Sequence, residues 1–320
     1  MNNKKEITPH SLSAWLAFMR PSTFWIAATP VLVGSSFALA LNGKFNFWTF
    51  LFTLFGAILI QAMSNMVNDY AYNVRKAENG TRVGLPRATS EGWISMSSAK
   101  KAISFTILLC ALFGILLVII GGIPIALIAI LSIICGYCYM GGPKPIAYTC
   151  LGEFLVLLFY GLFAVGGSYW LQTHSFNIIV LVPGLSLGLL GAAVLFVNNY
   201  RDLDHDKSVG RHTLVAVCGR KVSEALYMFM IFLPFVFIGW LVPLNHNCWP
   251  FLFVLLVLPR ASMLPQYLKK YPQERITEVM LKTIKLELLF GFLLTLGAIA
   301  VAFLSWPPEI LNASIFNSPF

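Results

Sequence analysis

Charge is scarce in this chain. Its 320 residues include 22 lysines and arginines and 13 aspartates and glutamates, so only 11% are charged, while 58% are hydrophobic. A soluble globular domain carries about 25% charged residues, and the mean hydropathy here is +0.77. This balance excludes a soluble globular domain and indicates a protein built into a lipid bilayer.

Cysteine is also sparse, and its spacing carries no chemistry. Most of the six cysteines lie within apolar segments, and Cys135 and Cys138 lack the companion ligands of a zinc or redox site. We therefore expect free thiols that pack as small hydrophobic side chains, and no disulfides. The first 22 residues contain no short apolar core followed by a small-residue cleavage site, so we expect no removable signal peptide.

Long hydrophobic runs, by contrast, are abundant. A helix needs roughly 20 apolar residues to span the hydrocarbon core of a bilayer. The eighth run is the weakest, because Pro259 and Arg260 interrupt it. The pattern predicts an all-α integral membrane protein with nine transmembrane helices, at about residues 23–42, 47–67, 102–121, 122–140, 151–172, 177–199, 222–243, 248–265 and 283–304.

These runs divide the chain into three parts. Residues 1–22 form an N-terminal segment, in which a serine start and an apolar face at residues 11–20 predict a short helix at the membrane interface. Residues 23–305 form the multi-pass domain, and residues 306–320 form a short tail. Polar clusters end the second and sixth spans, which suggests an internal repeat of helical units.

The basic residues are distributed unevenly between the loops. With the N-terminus in the cytoplasm, the even-numbered loops hold nearly all of them, and the opposite loops hold only Lys44. This is the positive-inside pattern of multi-pass proteins. It predicts a cell (inner) membrane protein whose N-terminus and polar clusters are cytoplasmic. The net charge of +9 then reflects topology, so we expect a lipid bilayer as partner and no nucleic acid.

Two polar clusters end long apolar segments. In the second, Asn198, Asp202 and Asp206 are four residues apart, so a helix places them on one face, while Asp204 points elsewhere. An aspartate at mid-bilayer costs about 2.5 to 3.5 kcal/mol, so such groups should face a water-filled cavity or one another. The first cluster is similar and consists of Asn65, Asn68, Asp69 and Glu78.

Acids and bases together at a membrane face suit a phosphorylated lipid. Mg²⁺ is commonly held by one or two carboxylates plus substrate phosphates, so Asp202 and Asp206 are predicted to hold metal, and Asn198 to orient a ligand. The apolar tail would lie among the helices. Arginine and lysine can take the remaining phosphate oxygens, and the candidates are Arg82, Arg87, Lys144, Arg201 and Arg211.

Several of these residues have a plainer interpretation. The aspartates of the second cluster can be balanced loop residues, although the asparagines inside the membrane boundary are then unexplained. His205 and His212 can be metal ligands or solvated loop histidines. Glu153 can form a salt bridge with Lys144 or can line the site. Glu287, near the start of the ninth span, is expected at the membrane interface.

The motifs taken together resemble the UbiA superfamily of membrane prenyltransferases. The Asn-Asn-x-Arg-Asp form at residues 198–202 is similar to the branch acting on 1,4-dihydroxy-2-naphthoate in menaquinone synthesis, rather than to the 4-hydroxybenzoate, protohaem or homogentisate branches. The stretches that carry the resemblance are Arg20-Pro21-x-Thr23, Asn68-Asp69-Tyr70, Arg82-Val83-Gly84-Leu85-Pro86-Arg87, Gly142 to Tyr148 with Leu151-Gly152-Glu153, and Asn198 to Asp202 with Asp206, Gly210, Arg211, Thr213 and Leu214.

The resemblance implies a nine-helix bundle with a central cavity, in which Mg²⁺ bridges two Asp-rich motifs to a prenyl diphosphate. The implied reaction transfers a polyprenyl group from the allylic prenyl diphosphate to the aromatic acceptor 1,4-dihydroxy-2-naphthoate, with decarboxylation, giving demethylmenaquinone. The implied metal ligands are Asp69, Glu78, Asp202 and Asp206, and the implied catalytic residues are Asn68, Asp69, Asn198, Asp202 and Asp206.

The first motif departs from the family pattern Asn-Asp-x-x-Asp, because Tyr72 stands at the second aspartate. Tyrosine is a poor magnesium ligand. Either Asp69 and Glu78 hold the first metal without it, or one metal suffices, or the substrate has changed. Two rival functions stay open on this ground: a sister enzyme with another aromatic acceptor, and a non-catalytic membrane protein that binds isoprenoid lipids.

Overall fold

A computed structural model describes residues 7–76, 86–244 and 246–305 of the protein. These residues form α-helices and short helical turns and contain no strand, which confirms the all-α prediction. The α-helices are α1 Leu12–Met19, α2 Phe24–Asn42, α3 Phe47–Val74, α4 Met96–Gly121, α5 Ile123–Cys138, α6 Gly152–Thr173, α7 Leu181–Arg201, α8 Leu203–Ser208, α9 Leu214–Gly239, α10 Leu258–Lys270 and α11 Ile276–Ser305.

The helices agree with the nine predicted spans. Eight helical segments of the described chain are long and apolar enough to cross a membrane, and the shorter apolar helix α5 accounts for the ninth. The weakest run is continuous from Asn247 to Lys270, because Pro259 falls in the first turn of α10, where its missing N–H costs no hydrogen bond. Large apolar side chains cover the outside of the bundle; Ile119 and Ile123 are each 78% exposed. The protein is therefore a multi-pass membrane protein.

The short N-terminal helix packs on the bundle and fixes the entry of the chain. Ser11 caps α1 by accepting a hydrogen bond from the Ala14 N–H (3.3 Å), and Arg20 ends it in the left-handed region (φ 55°). Ala14 and Phe18 are buried and belong to a cluster that includes Met63 of α3. The partly buried Trp15 and Met19 of α1 pack against the same cluster.

The ninth helix extends further than its hydropathy predicts. It begins at Ile276, so Glu287 lies roughly three turns inside it, and the side chain is only 1% exposed. The expectation that Glu287 sits at the interface is therefore wrong. Among the described residues neither of its carboxylate oxygens has a hydrogen-bond partner. A polar group buried in this way lowers stability.

Close helix contacts rest on glycine. A Cβ atom added to Gly161, in the π-helical part of α6, would lie 2.4 Å from the carbonyl oxygen of Gly184 and 2.7 Å from the Cα of Gly188 in α7. Small residues at such crossings let two backbones approach in a membrane protein. The crossing of α6 and α7 matters for function, because α7 carries the second polar cluster and α6 begins beside it.

We expect Gly161→Ala to lower the free energy of unfolding of the detergent-purified protein by roughly 1–3 kcal/mol, because the new methyl group overlaps backbone atoms of α7. Gly166→Ala in the same helix is the matched control, since a Cβ there meets nothing within 4 Å. Alanine is the better helix former, so this control should equal or exceed the wild type in stability. Equal melting temperatures for the two variants would contradict the close contact.

Candidate functional site

The polar clusters meet at one end of the bundle. The Arg211 guanidinium donates to the hydroxyl of Tyr72 (2.6 Å), which joins residues 139 positions apart in the chain. Two short stretches lie between the ends of α3 and α7, residues 86–89 and 140–148, and side chains of both clusters bind them. We call this the motif end of the protein.

The second cluster keeps its predicted spacing across a break in the helix. Helix α7 stops at Arg201, yet the Asp202 N–H still donates to the Asn198 carbonyl (3.1 Å) and the Asp206 N–H to the Asp202 carbonyl (2.7 Å). Asp202 and Asp206 are buried, whereas Asp204 is exposed and binds Arg220 at 3.0 Å. The prediction that Asp204 points elsewhere is confirmed.

Arginines hold both buried aspartates of this cluster. Arg201 donates to the two carboxylate oxygens of Asp202, each at 2.8 Å, and to the Asn198 side-chain oxygen at 2.8 Å. Arg211 donates to Asp206 at 2.7 Å. Burial lowers the pKa of Arg211, but the surrounding Tyr72 and Asp206 oxygens outweigh that effect, so its pKa is raised and the guanidinium stays charged.

In the first cluster, the carboxylate of Asp69 binds the chain just after Arg87. It accepts hydrogen bonds from the backbone N–H groups of Ala88 (2.9 Å) and Thr89 (3.0 Å) and from the Thr89 hydroxyl (2.7 Å). Arg20 lies 3.9 Å from the same carboxylate. Arg87 is consequently drawn inside and donates to the Asn68 side-chain oxygen at 3.0 Å.

The remaining predicted site residues differ in their placement. Glu78 and Arg82 lie outside the described residues. Lys144 is exposed in the loop after α5. Arg75 fixes this loop by donating to the carbonyls of Met140 (2.5 Å) and Gly142. Arg211 fixes it from the other side, through the carbonyl of Ala147 at 3.0 Å.

Two open alternatives from the sequence are resolved by contacts. Glu153 is buried and accepts a hydrogen bond from the Asn199 amide (2.8 Å) rather than pairing with Lys144. Among the described residues, its second oxygen and the Asn199 carbonyl oxygen have no hydrogen-bond partner. His205 is buried and not solvated, whereas His212 is exposed.

A cavity of about 350 Å³ starts at the motif end and runs into the bundle. Charged and amide side chains line one end, and mostly apolar side chains line the rest, together with a few hydroxyl groups such as those of Thr53, Ser132 and Ser168. A hydrogen-bonded group lies between the two regions, in which Gln61 donates to Thr23 (2.9 Å) and accepts from Tyr160. The polar end includes Arg20, Asn65, Asn68, Asn198 and Arg201; the apolar walls include Ile60, Leu117, Ile125, Ile133, Phe159 and Phe163.

The oxygen donors of the second cluster fit a magnesium ion. Its carboxylate and amide oxygens are the ligand types that Mg²⁺ prefers, although no group of three His, Cys, Asp or Glu side chains that could hold a metal occurs within the described ranges. In the structure these oxygens already have partners, because Arg201 donates to both carboxylate oxygens of Asp202 and to the Asn198 side-chain oxygen. The same is true of the first cluster. Both oxygens of Asp69 already accept hydrogen bonds, and Tyr72 offers only a phenol. A metal role for Asp69 stays a prediction.

Sequence reasoning missed several residues that line the cavity. Arg20 reaches it because α1 ends in a left-handed residue, and Tyr139 and Tyr160 reach it from the end of α5 and from α6. A signal existed for Arg20, which belongs to the motif Arg20-Pro21-x-Thr23. The tyrosines carried none, because an aromatic residue in an apolar helix ordinarily packs in the core.

Comparison with known proteins identifies relatives over most of the chain. The chain is 30% identical over 291 residues to 1,4-dihydroxy-2-naphthoate octaprenyltransferase of Escherichia coli, covering 89% of this chain and 94% of that protein. It is 34% identical over 226 residues to the protein of the same name from Haemophilus influenzae, covering 68% and 73%.

The fold is also found among solved structures. A UbiA homolog from Archaeoglobus fulgidus, solved bound to GPP and Mg²⁺, superposes with a TM-score of 0.64 at 15% identity, covering 88% of this chain and 99% of that one. The model of the UbiA prenyltransferase family matches residues 27–289. This chain is therefore a member of the UbiA prenyltransferase family.

Proposed function

We propose that the protein transfers a polyprenyl group from an allylic prenyl diphosphate to 1,4-dihydroxy-2-naphthoate, with loss of the acceptor's carboxylate as CO₂, which gives the demethylmenaquinone skeleton. The observation that carries the proposal is the cavity that joins a charged end, where both motifs meet, to an apolar interior. The two naphthoate prenyltransferases to which the chain is 30% and 34% identical support the choice of acceptor.

The charged end suits a diphosphate. Arg20 and Arg201 line the cavity there, and Asn68 and Asn198 offer amide groups beside them. Guanidinium forks match phosphate oxygens in geometry as well as in charge. Further phosphate contacts are proposed from Arg87, Lys144 and Arg211, and from Arg82, which lies outside the described residues.

The acidic residues would hold magnesium at this end. Asp202 and Asp206 are the proposed ligands from the second cluster, and Asp69 and Glu78 those from the first. A bound Mg²⁺ would supply positive charge to the diphosphate as its negative charge develops. The solved UbiA homolog that was bound to GPP and Mg²⁺ supports this assignment.

The reaction breaks the allylic C–O bond, and the diphosphate leaves with the electron pair. The electron-rich ring of the acceptor then forms the new C–C bond, and the carboxylate departs as CO₂. The apolar walls exclude water from the allylic cation, and the aromatic faces of Tyr139, Phe159 and Tyr160 at the cavity can stabilise positive charge. Arg20 and Arg201 stabilise the departing diphosphate.

The orientation in the membrane is part of the proposal. We place the N-terminus and the motif end on the cytoplasmic side of the cell (inner) membrane. The basic residues of the even-numbered loops support this placement, since a single lysine, Lys44, lies in the opposite loops.

The test is prenyl transfer by membranes that contain the protein, with membranes lacking it as control. A long prenyl diphosphate is offered with 1,4-dihydroxy-2-naphthoate or with 4-hydroxybenzoate, each with and without magnesium. We expect magnesium-dependent product from the naphthoate alone. Product only from the other acceptor would reassign the protein to a sister branch, and no product from either would favour a lipid-binding protein.

A further inference from the structure

Tyr72 stands where the pattern implied by the resemblance has an aspartate, and the structure gives it a specific environment. Its side chain is 4% exposed and packs with Ala71, Met140 and Ala147. The last two belong to the loop that Arg75 and Arg211 bind. The ring therefore lies between the two polar clusters, behind the wall of the cavity.

Two guanidinium groups contact Tyr72 in two different ways. The Arg211 fork donates to its hydroxyl at 2.6 Å. The Arg87 guanidinium carbon lies 3.5 Å from the centre of the ring, a cation–π contact. Both arginines are nearly buried, at 5% and 2% exposure respectively, so water does not screen these contacts.

Each arginine also holds a residue of one cluster. Arg87 donates to Asn68, which lines the cavity, at 3.0 Å. Arg211 donates to Asp206 at 2.7 Å. An unbroken series of contacts thus runs from the first cluster to the second, and Tyr72 is its middle member.

An aspartate at position 72 cannot make both contacts. It has no aromatic face for Arg87, and its carboxylate ends several bonds short of the place where the phenol hydroxyl meets Arg211. A phenylalanine keeps the face and loses the hydroxyl. The two functions of the side chain are therefore separable by substitution.

We propose that Tyr72 is a positioning residue for the diphosphate end of the site: it fixes Arg87 with Asn68 and Arg211 with Asp206, and so links the two motifs through protein contacts. The inference rests on the proposed function only in that the ligand is a diphosphate. Tyr72 itself does not touch the substrate. Its effect reaches the cavity through Asn68 and through the cluster that contains Asp206.

The test compares Tyr72→Phe, Tyr72→Leu and Tyr72→Asp in the detergent-purified full chain. Binding of inorganic pyrophosphate in the presence of magnesium ions is measured first, because it needs no acceptor. A hydrogen bond to a charged group corresponds to a factor of roughly 10 to 100, so Tyr72→Phe should weaken pyrophosphate binding about ten-fold. Tyr72→Leu, which also loses the ring face, should weaken it further.

Turnover then separates positioning from a general structural role. For Tyr72→Phe we expect the KM for prenyl diphosphate to rise about ten-fold, as binding does, while the KM for the acceptor stays within two-fold. Tyr137→Phe is the matched control, because it removes a hydroxyl from a tyrosine that is 43% exposed on α5. It should bind pyrophosphate as the wild type does.

Tyr72→Asp distinguishes a functional tyrosine from neutral drift, since it restores the residue of the family pattern. We expect it to bind pyrophosphate at least as poorly as Tyr72→Leu. Wild-type binding by Tyr72→Asp, or by the nearly isosteric Tyr72→Phe, would overturn the proposal. If Tyr72→Leu does not fold, the Phe variant still decides the question. A wrong acceptor would leave all the pyrophosphate results unchanged, so the two proposals fail separately.

Discussion

Asp202→Asn and Asp206→Asn are each expected to reduce prenyl transfer at least about a hundred-fold. Both carboxylates are buried at the motif end, where Arg201 and Arg211 hold them in place. The amide has the same shape but no charge, so it weakens the proposed metal site and leaves a buried guanidinium without its anion. Groups that stabilise developing charge in an active site are typically worth 10²–10³ in rate.

The control for this prediction is Asp204, which lies in the six-residue helix α8. Asp204 lies between the two critical aspartates, but its side chain is 68% exposed and pairs with the exposed Arg220. Exposed ion pairs contribute little to stability. The prenyl-transfer activity of Asp204→Asn should therefore stay within about two-fold of the wild type. Initial rates, normalised to the amount of protein in the membrane, measure the difference. Equal, non-zero rates for Asp202→Asn, Asp204→Asn and the wild type would refute the proposed role of Asp202 in the metal site, whereas no prenyl transfer by the wild type would favour a lipid-binding function.

Arg211→Lys is expected to lower activity and stability together. The guanidinium donates to Asp206, to the hydroxyl of Tyr72 and twice to the carbonyl of Ala147, at 2.6 to 3.2 Å. Lysine keeps the charge, but its single ammonium group cannot reproduce a planar fork directed at three partners. We expect a loss of activity of at least about a hundred-fold and a decrease of roughly 1–3 kcal/mol in the free energy of unfolding, because buried acceptors lose their donors while the positive charge is kept.

Arg220→Lys is the matched control, because Arg220 also forms an ion pair, with Asp204, but at the exposed surface of the protein. Its side chain is 44% exposed, against 5% for Arg211, and its carboxylate partner is exposed as well. The control should keep wild-type activity and melting temperature. For each variant, the melting temperature is measured in detergent and the prenyl-transfer rate is measured in membranes. A stable but inactive Arg211→Lys protein would assign Arg211 to diphosphate binding alone, and an active one would refute its role.

The helical layout could be predicted from hydropathy. Each of the nine apolar runs coincides with a helix or an apolar helical segment, because in a bilayer every span must satisfy its own backbone hydrogen bonds. The main error concerned helix starts. Helix α11 begins at Ile276 rather than near residue 283, and this shift places Glu287 inside the bundle. Polar residues at a helix start lower the local hydropathy without ending the helix.

Part of the candidate site was also predictable. Asn198, Asp202 and Asp206 share a face because helical spacing is local, and that spacing survives the break at Asp202. The family motifs located the loops that meet at the motif end. The partners of these residues were not predictable: nothing in the order of residues indicates that Glu153 binds Asn199, or that Asp69 binds the backbone of residues 88 and 89.

The sequence by itself determined that this is a multi-pass membrane protein of the UbiA prenyltransferase family, since apolar run lengths and motif spacings are local properties of the chain. Only the tertiary structure decided which contacts the side chain at position 72 makes. It brings Arg87 and Arg211 onto Tyr72 from elements that are distant in the chain. Contacts between such elements depend on how the helices pack, and packing in three dimensions is not encoded in any local pattern of residues.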